Sequence, residues 1–219
     1  MLSRSAKAMF YALAGPAMAV NGALHRTLFA PARSGLRVHL GPGQKNYIPG
    51  WINIDANAFT GKCDIWADLR NPLPLRDATV KAAYSHHVIE HLPDRMAHFK
   101  EVLRVLQPGG VYRVAAPNGD TAVRKLLEGD RAWFGSWPDD RRSVGGRFEN
   151  FIFCRGEHVT ILFADFLTEL LTDAGFTDIR PAHAAQITNY PDLFGDVLAK
   201  EEEPDPAHPM TLVLEAVKQ

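Results

Sequence analysis

The stretch LRVHLGPGQKNYIPGWINID, Leu36 to Asp55, carries the reading of the fold. Leu36-Arg37-Val38-His39-Leu40 alternates apolar and polar residues, as a strand does, and Gly41-Pro42-Gly43 stops it. Trp51-Ile52-Asn53-Ile54-Asp55 reads as a second strand. Glycines directly behind a strand allow a tight turn and let the backbone approach a nucleotide-like ligand closely, which makes Gly41 and Gly43 candidates for ligand contact. The third glycine of a dinucleotide fingerprint is absent. Asp55 closes the second strand, where a carboxylate can accept hydrogen bonds from both ribose hydroxyls of a nucleoside. Residues 41–50 leave ten positions between the strands, whereas a parallel crossover usually takes about a dozen or more. The first crossover is therefore expected to hold a turn in place of a full helix.

Outward from this stretch, strand-like and helix-like segments alternate, the pattern of an α/β fold with a parallel sheet. Cys63–Leu69 reads as a third strand and Ala82–Ser85 as a fourth. A helix is expected over Asp94–Leu106, a fifth strand over Val111–Ala116, a helix over Thr160–Asp173, and last strands over Thr177–Ala182 and Met210–Val217. ADLRNPLPL places Asp68 at the end of the third strand, able to accept from an exocyclic adenine amine, with the Leu69 backbone N–H facing the ring. Residues 119–158 break the rhythm and are rich in arginine, glycine and aromatic residues. Trp133, Phe134 and Trp137 can stack on a ring or form a small core of their own, and Arg141, Arg142 and Arg147 can meet phosphate or carboxylate. The segment is expected to bring in acceptor-binding residues.

Composition fits a globular domain: 46% of residues are hydrophobic and 22% charged, with a formal net charge of −1, so no nucleic-acid partner is expected. Cys63 and Cys154 form neither a metal pair nor a disulfide framework, which points to a reducing, cytoplasmic compartment. No Asp or Glu precedes Asp55, whereas Arg4, Lys7, Arg26, Arg33, Arg37 and Lys45 do. The apolar run in residues 1–33 is too short to span a bilayer. It reads as a helical extension packed on a domain of residues 34–219, as a helix on a membrane surface, or as a signal-like leader.

His87-Val88-Ile89-Glu90-His91 spells H-x-x-E-H, the inverted zinc-protease pattern. That chemistry needs both histidines on one face of a long helix plus a distant third ligand. Pro93 follows too closely for an uninterrupted helix, and a strand precedes, so no metal site is expected here.

Together, HLGPGQKNYIPGWINID, ADLRNPLPL, AAYSHHVIEHL, EVLRVLQPGGVYRVAAPN and LLTDAGF resemble the class I S-adenosylmethionine-dependent methyltransferases, of the type 11 domain kind. The resemblance covers residues 36–118 closely and 156–217 loosely. It implies a Rossmann-like, doubly wound, seven-stranded and mostly parallel sheet with an antiparallel last strand and helices on both faces. It implies S-adenosylmethionine as cofactor, with Gly41, Gly43, Asp55, Asp68, Leu69, Ser85 and His86 around it. Methyl transfer to a hydroxyl needs positioning and removal of one proton, for which His87, His86 and His158 are the candidates. The expected acceptor is a small molecule or a glycan- or lipid-linked group. Rival readings are a non-catalytic cofactor-binding protein, a zinc hydrolase using His87, Glu90 and His91, and a nicotinamide oxidoreductase.

Overall fold

The computed structural model describes residues 4–29 and 34–219; residues 1–3 and 30–33 of the expected extension, Arg33 among them, lie outside the described residues. The chain opens with helix α1 (Arg4–Leu24), continued by one wider turn, His25–Phe29. Strands β1 (Leu36–Leu40), β2 (Ile52–Asp55), β3 (Ile65–Trp66) and β4 (Val80–His86) follow, then α2 (Arg95–Val105) and β5 (Leu106–Pro117). Helices α3 (Gly119–Glu128) and α4 (Val144–Phe153) make up most of the segment after β5. Then come α5 (Ala164–Ala174), β6 (Thr177–Ala182), the single turn α6 (Pro191–Phe194) and β7 (Thr211–Val217).

The seven strands form one sheet in the order β3-β2-β1-β4-β5-β7-β6. β3, β2, β1, β4 and β5 run parallel, and β7 is antiparallel to both its neighbours. This is the expected fold. Strand alternation decides which side chains go where. Leu36, Val38 and Leu40 of β1 join Tyr112, Val114 and Ala116 of β5 under α2 and α5, where Phe99, Val102, Leu167 and Leu171 complete the main core. The opposite face carries His39, Tyr84 and Arg113 and is covered by Ile48, Trp51, Phe194 and Val197 from loops and α6.

The short first crossover holds only turns between Leu40 and Ile52, as its length requires. β3 is shorter than expected, Ile65–Trp66 against Cys63–Leu69, because it is an edge strand pairing with β2 alone. β5 is longer: Leu106 already pairs with Val80, and a register shift passes the Gly109-Gly110 turn before Val111 pairs with Ala82. Asp94 caps α2 by accepting from the Ala97 N–H at 2.9 Å. α5 closes at Gly175, whose φ of 106° is a left-handed conformation that glycine adopts without strain.

The helix-poor face is held by a buried charge network. Arg113 donates to Glu201 at 2.7 and 2.9 Å, to Glu215 at 2.7 Å, and to the backbone carbonyls of His183 and Ile187. All three charged side chains are fully buried. Removing one member of such a network strands the opposite charge, so Arg113→Ala is expected to lower unfolding free energy by about 3–5 kcal/mol in urea titrations. Arg180→Ala, which removes the exposed pair with Asp178, should cost no more than about 1 kcal/mol in the same measurement.

Candidate active site

The parallel strands β1, β2, β4 and β5 end at one edge of the sheet, and their loops build two adjoining cavities there. The first, of about 610 Å³, opens over the glycine turn. Gly41 (φ 75°) lies on its floor, where a Cβ would come within 2.5 Å of Val88 Cγ2, so no larger residue fits there. Gly43 (φ 58°) turns its N–H onto Asp55 Oδ2 at 2.7 Å. The Asn57 N–H donates to the other oxygen, Oδ1, also at 2.7 Å. These N–H groups place the Asp55 carboxylate at the cavity wall with lone pairs to spare for two further donors. Burial raises the Asp55 pKa above the ordinary carboxylate value, against the lowering by its backbone N–H partners.

The turn at 57–61 seats itself on the glycine turn, backbone against backbone: a Cβ on Gly61 would meet the Gly43 carbonyl at 2.2 Å. Asp68 and Leu69 line the same cavity. Asp68, however, engages both oxygens with Arg70, through Nε at 2.9 and 3.0 Å and Nη2 at 2.6 Å, and Oδ1 also takes the Arg70 N–H at 3.0 Å. The Arg70 guanidinium in turn lies 3.6 Å over the Tyr11 ring. The sequence gives no hint of this clamp, which couples the third strand end to α1.

The four histidine and serine candidates separate. Ser85 lines neither cavity: it is fully buried, with Oγ 2.7 Å from the Tyr112 hydroxyl. Strand alternation sends its side chain to the side of Ala83 and the main core. His86, one residue on, points to the opposite face and lines only the second cavity, of about 690 Å³. Its Nε2 is buried without a partner among the described residues, and burial, followed by the charges of His87, His39 and Arg113, pushes its pKa down to about 2. It lines the wall of the second cavity and not of the first. His87 lines both cavities. Its φ of 54° is rare for a residue with a side chain and tends to mark functional strand ends. Its Nδ1 lies 3.2 Å from Glu90 Oε1 and its Nε2 3.5 Å from the Thr211 hydroxyl. His158 lines the second cavity, nearly buried, with Nδ1 donating to the Ile152 carbonyl at 2.8 Å. Burial lowers its pKa despite the nearby Glu90 carboxylate.

The segment after β5 walls the second cavity. Phe134, with Ala122 and Ile152, forms its own small core, and Trp133 packs beside it. Trp137 does not join them; it is 66% exposed at the cavity rim. Two of the three arginines expected to meet an acceptor are paired inside the segment. Arg147 pairs with Asp140 and Arg141 with Asp139, and neither they nor Arg142 lines the cavity. Among the residues that sequence reasoning missed, α1 contributes most: Lys7, Phe10 and Tyr11 roof the first cavity, and Lys7 reaches Glu157 across the boundary between the two. Contacts between residues 150 positions apart leave no local signal.

Residues 55–114 match the family model described as a methyltransferase domain. Over these residues the chain is similar to a methyltransferase domain. A probable S-adenosylmethionine-dependent methyltransferase of Mycobacterium tuberculosis is 34% identical over 107 residues, which are 49% of this chain and 30% of that protein. One of Mycolicibacterium smegmatis is 50% identical over 46 residues, 21% of this chain and 18% of that protein. The chain thus spans less than a third of the length of these curated relatives. In fold, the chain is similar to a Thermotoga maritima protein described as an S-adenosylmethionine-dependent methyltransferase, possible histamine N-methyltransferase. The TM-score is 0.54 at 15% identity, over 98% of this chain and 96% of that one. A methyltransferase of Archaeoglobus fulgidus aligns with a TM-score of 0.53 at 14% identity, over 91% and 93% of the two chains.

Proposed function

We propose that the chain is an S-adenosylmethionine-dependent methyltransferase that methylates a hydroxyl of an acceptor bound in the second cavity. The observation that carries the reading is the Asp55 carboxylate, fixed by two backbone N–H groups at the wall of a cavity floored by Gly41 and Gly43. Asp55 would accept from the ribose hydroxyls of S-adenosylmethionine, and the glycine turn leaves room for the methionine part. The adenine would lie between Leu69, Val88 and Leu92, with Asp68 engaged by Arg70 and so not free for its amine. The cofactor supplies an electrophilic methyl on a sulfonium, and its loss leaves a neutral thioether that needs no protonation. The chain's own residues then have two tasks. His87, placed between the cavities, takes the proton from the acceptor hydroxyl on the ring nitrogen that faces the second cavity, while Glu90 orients its other nitrogen. Phe134, Phe151 and Trp137 confine the acceptor from the side of α3 and α4.

Asp55→Ala should weaken S-adenosylmethionine binding about 10–100-fold by calorimetry, the equivalent of hydrogen bonds to a charged group worth about 1.5–3 kcal/mol. The raised pKa of Asp55 sets the pH dependence. The acceptor form is the ionised one, so cofactor affinity should fall on acidification at a higher pH than an ordinary carboxylate would dictate. Wild-type affinity that is absent, or untouched by Asp55→Ala, would overturn the assignment. His87→Gln should lower turnover about 10²–10⁴-fold with labelled cofactor while the calorimetric affinity stays within a few-fold. A chain that binds the cofactor but transfers methyl to no acceptor in a hydroxyl-compound screen would be a binding protein.

A specific observation favours an acceptor held at a lipid surface. The outward face of α1 presents Met9, Leu13, Val20 and Leu24, with Leu28 just beyond, all exposed and in one helical stripe without a charge between them. No acidic residue occurs before Asp55 to repel an anionic headgroup. No described helix is long and apolar enough to cross a membrane. Co-sedimentation with phosphatidylserine vesicles is expected for the wild type and is expected to be lost in the Leu13→Asp, Val20→Asp double variant. Equal recovery of both proteins in the supernatant would remove this acceptor class.

A further inference from the structure

Glu90 is 1% exposed and lies just behind the boundary of the two cavities. Its carboxyl is withdrawn from water, and among the described residues its hydrogen-bond partner is His87 Nδ1 alone. A buried charge has to be paired or bound to a metal. Among the described residues, its only partners for an ion pair are three imidazoles.

Those imidazoles are not equivalent. His87 Nδ1, at 3.2 Å, is close enough for a hydrogen bond to Oε1. His91 Nε2 and His158 Nε2 each stand 3.9 Å from the same oxygen, beyond the roughly 2.7–3.2 Å over which a proton is shared. Their far nitrogens are fixed. His91 Nδ1 contacts the Glu157 carbonyl at 3.1 Å and His158 Nδ1 the Ile152 carbonyl at 2.8 Å. A carbonyl only accepts, so each Nδ1 carries a proton, and a ring holding that one proton presents its lone pair at Nε2. This is how backbone carbonyls orient metal-ligating histidines. The second carboxylate oxygen, Oε2, is buried with no hydrogen-bond partner among the described residues. Three acceptor groups therefore meet, their ligand atoms all within 4.8 Å of one another, with no donor placed between Glu90 and the two rings. Two bonds of about 2.0–2.2 Å to one ion span roughly 3.3–4 Å at angles from tetrahedral upward, which matches both 3.9 Å separations.

We propose that Glu90, His91 and His158 form a binding site for a divalent transition-metal ion, zinc by preference, with an open coordination position toward the second cavity. Two imidazoles and one carboxylate suit zinc and its transition-metal neighbours better than magnesium or calcium, which favour oxygen ligands. His91 and His158 both line the second cavity, so a fourth ligand would come from bound acceptor or water. The site differs from the zinc-protease reading of H-x-x-E-H. Ile89–His91 form a single tight turn in place of a helix, and His158 from beyond α4 replaces His87.

The proposal does not rest on methyl transfer, and direct metal binding tests it. The full chain, stripped with a chelator and dialysed, should bind one zinc ion per chain by calorimetry and give cobalt(II) visible bands from low-symmetry coordination. His91→Ala and His158→Ala should each weaken zinc binding about 10–100-fold or more. His91 is partly exposed, so its variant keeps the test valid even if His158→Ala fails to fold. His208→Ala, removing an exposed histidine paired with Asp205, should leave affinity unchanged. No zinc or cobalt binding at micromolar concentrations, or equal affinity in His91→Ala, would overturn the proposal. Zinc bound at these residues by a chain with no affinity for S-adenosylmethionine would leave the metal site standing and remove the methyltransferase reading.

Discussion

A carboxylate at Glu90, withdrawn from water, obliges the chain around it to supply positive or hydrogen-bonding partners. Those partners come from three separate parts of the chain. His87 leads out of β4, His91 lies in the tight turn that follows, and His158 sits beyond α4. The Glu90 carbonyl adds a backbone tie by accepting from the Val159 N–H at 2.8 Å. The loop at the carboxyl end of the fourth strand is thereby fastened to the segment that walls the second cavity. Much of the rest of the site follows: the ring of His87 is oriented by this carboxylate, and the end of the wall starts from it.

The opposite face of the sheet solves a different problem. It has few helices to cover it, so a long irregular segment between β6 and β7 lies across it. Loops carry backbone groups that need partners. Arg113 answers with five donors, meeting two carboxylates and two carbonyls. The anchored segment then leads through Glu202, Pro204 and Met210 into the wall of the second cavity. Stability on one side of the sheet and shape on its carboxyl edge are parts of one connection.

The strands were legible because apolar residues recur with period two, and Leu36, Val38 and Leu40 show that period in their spacing alone. The glycine turn and Asp55 were legible because they are local: a strand end, a turn and the next strand end. The same rule of alternation could have placed Ser85, which shares its face with Ala83 and so cannot face the cleft that His86 faces. What the sequence could not display were pairings across long separations. Lys7 with Glu157, Tyr11 beneath Arg70, and His158 beside Glu90 exist only once the chain has folded. Arg141 and Arg147 show a related limit. Residue type suggested an anion site, but nearby aspartates pair with both.

His87, His91, Lys7 and Glu157 each line both cavities, and this shared wall limits how such a protein can diverge. A change at any of the four alters two binding events together, so drift there is coupled and tightly constrained. Trp137, Met210 and Glu202 touch the second cavity alone. New acceptor preferences can accumulate at those positions without disturbing the other half of the site, and related chains that use different acceptors should differ there first.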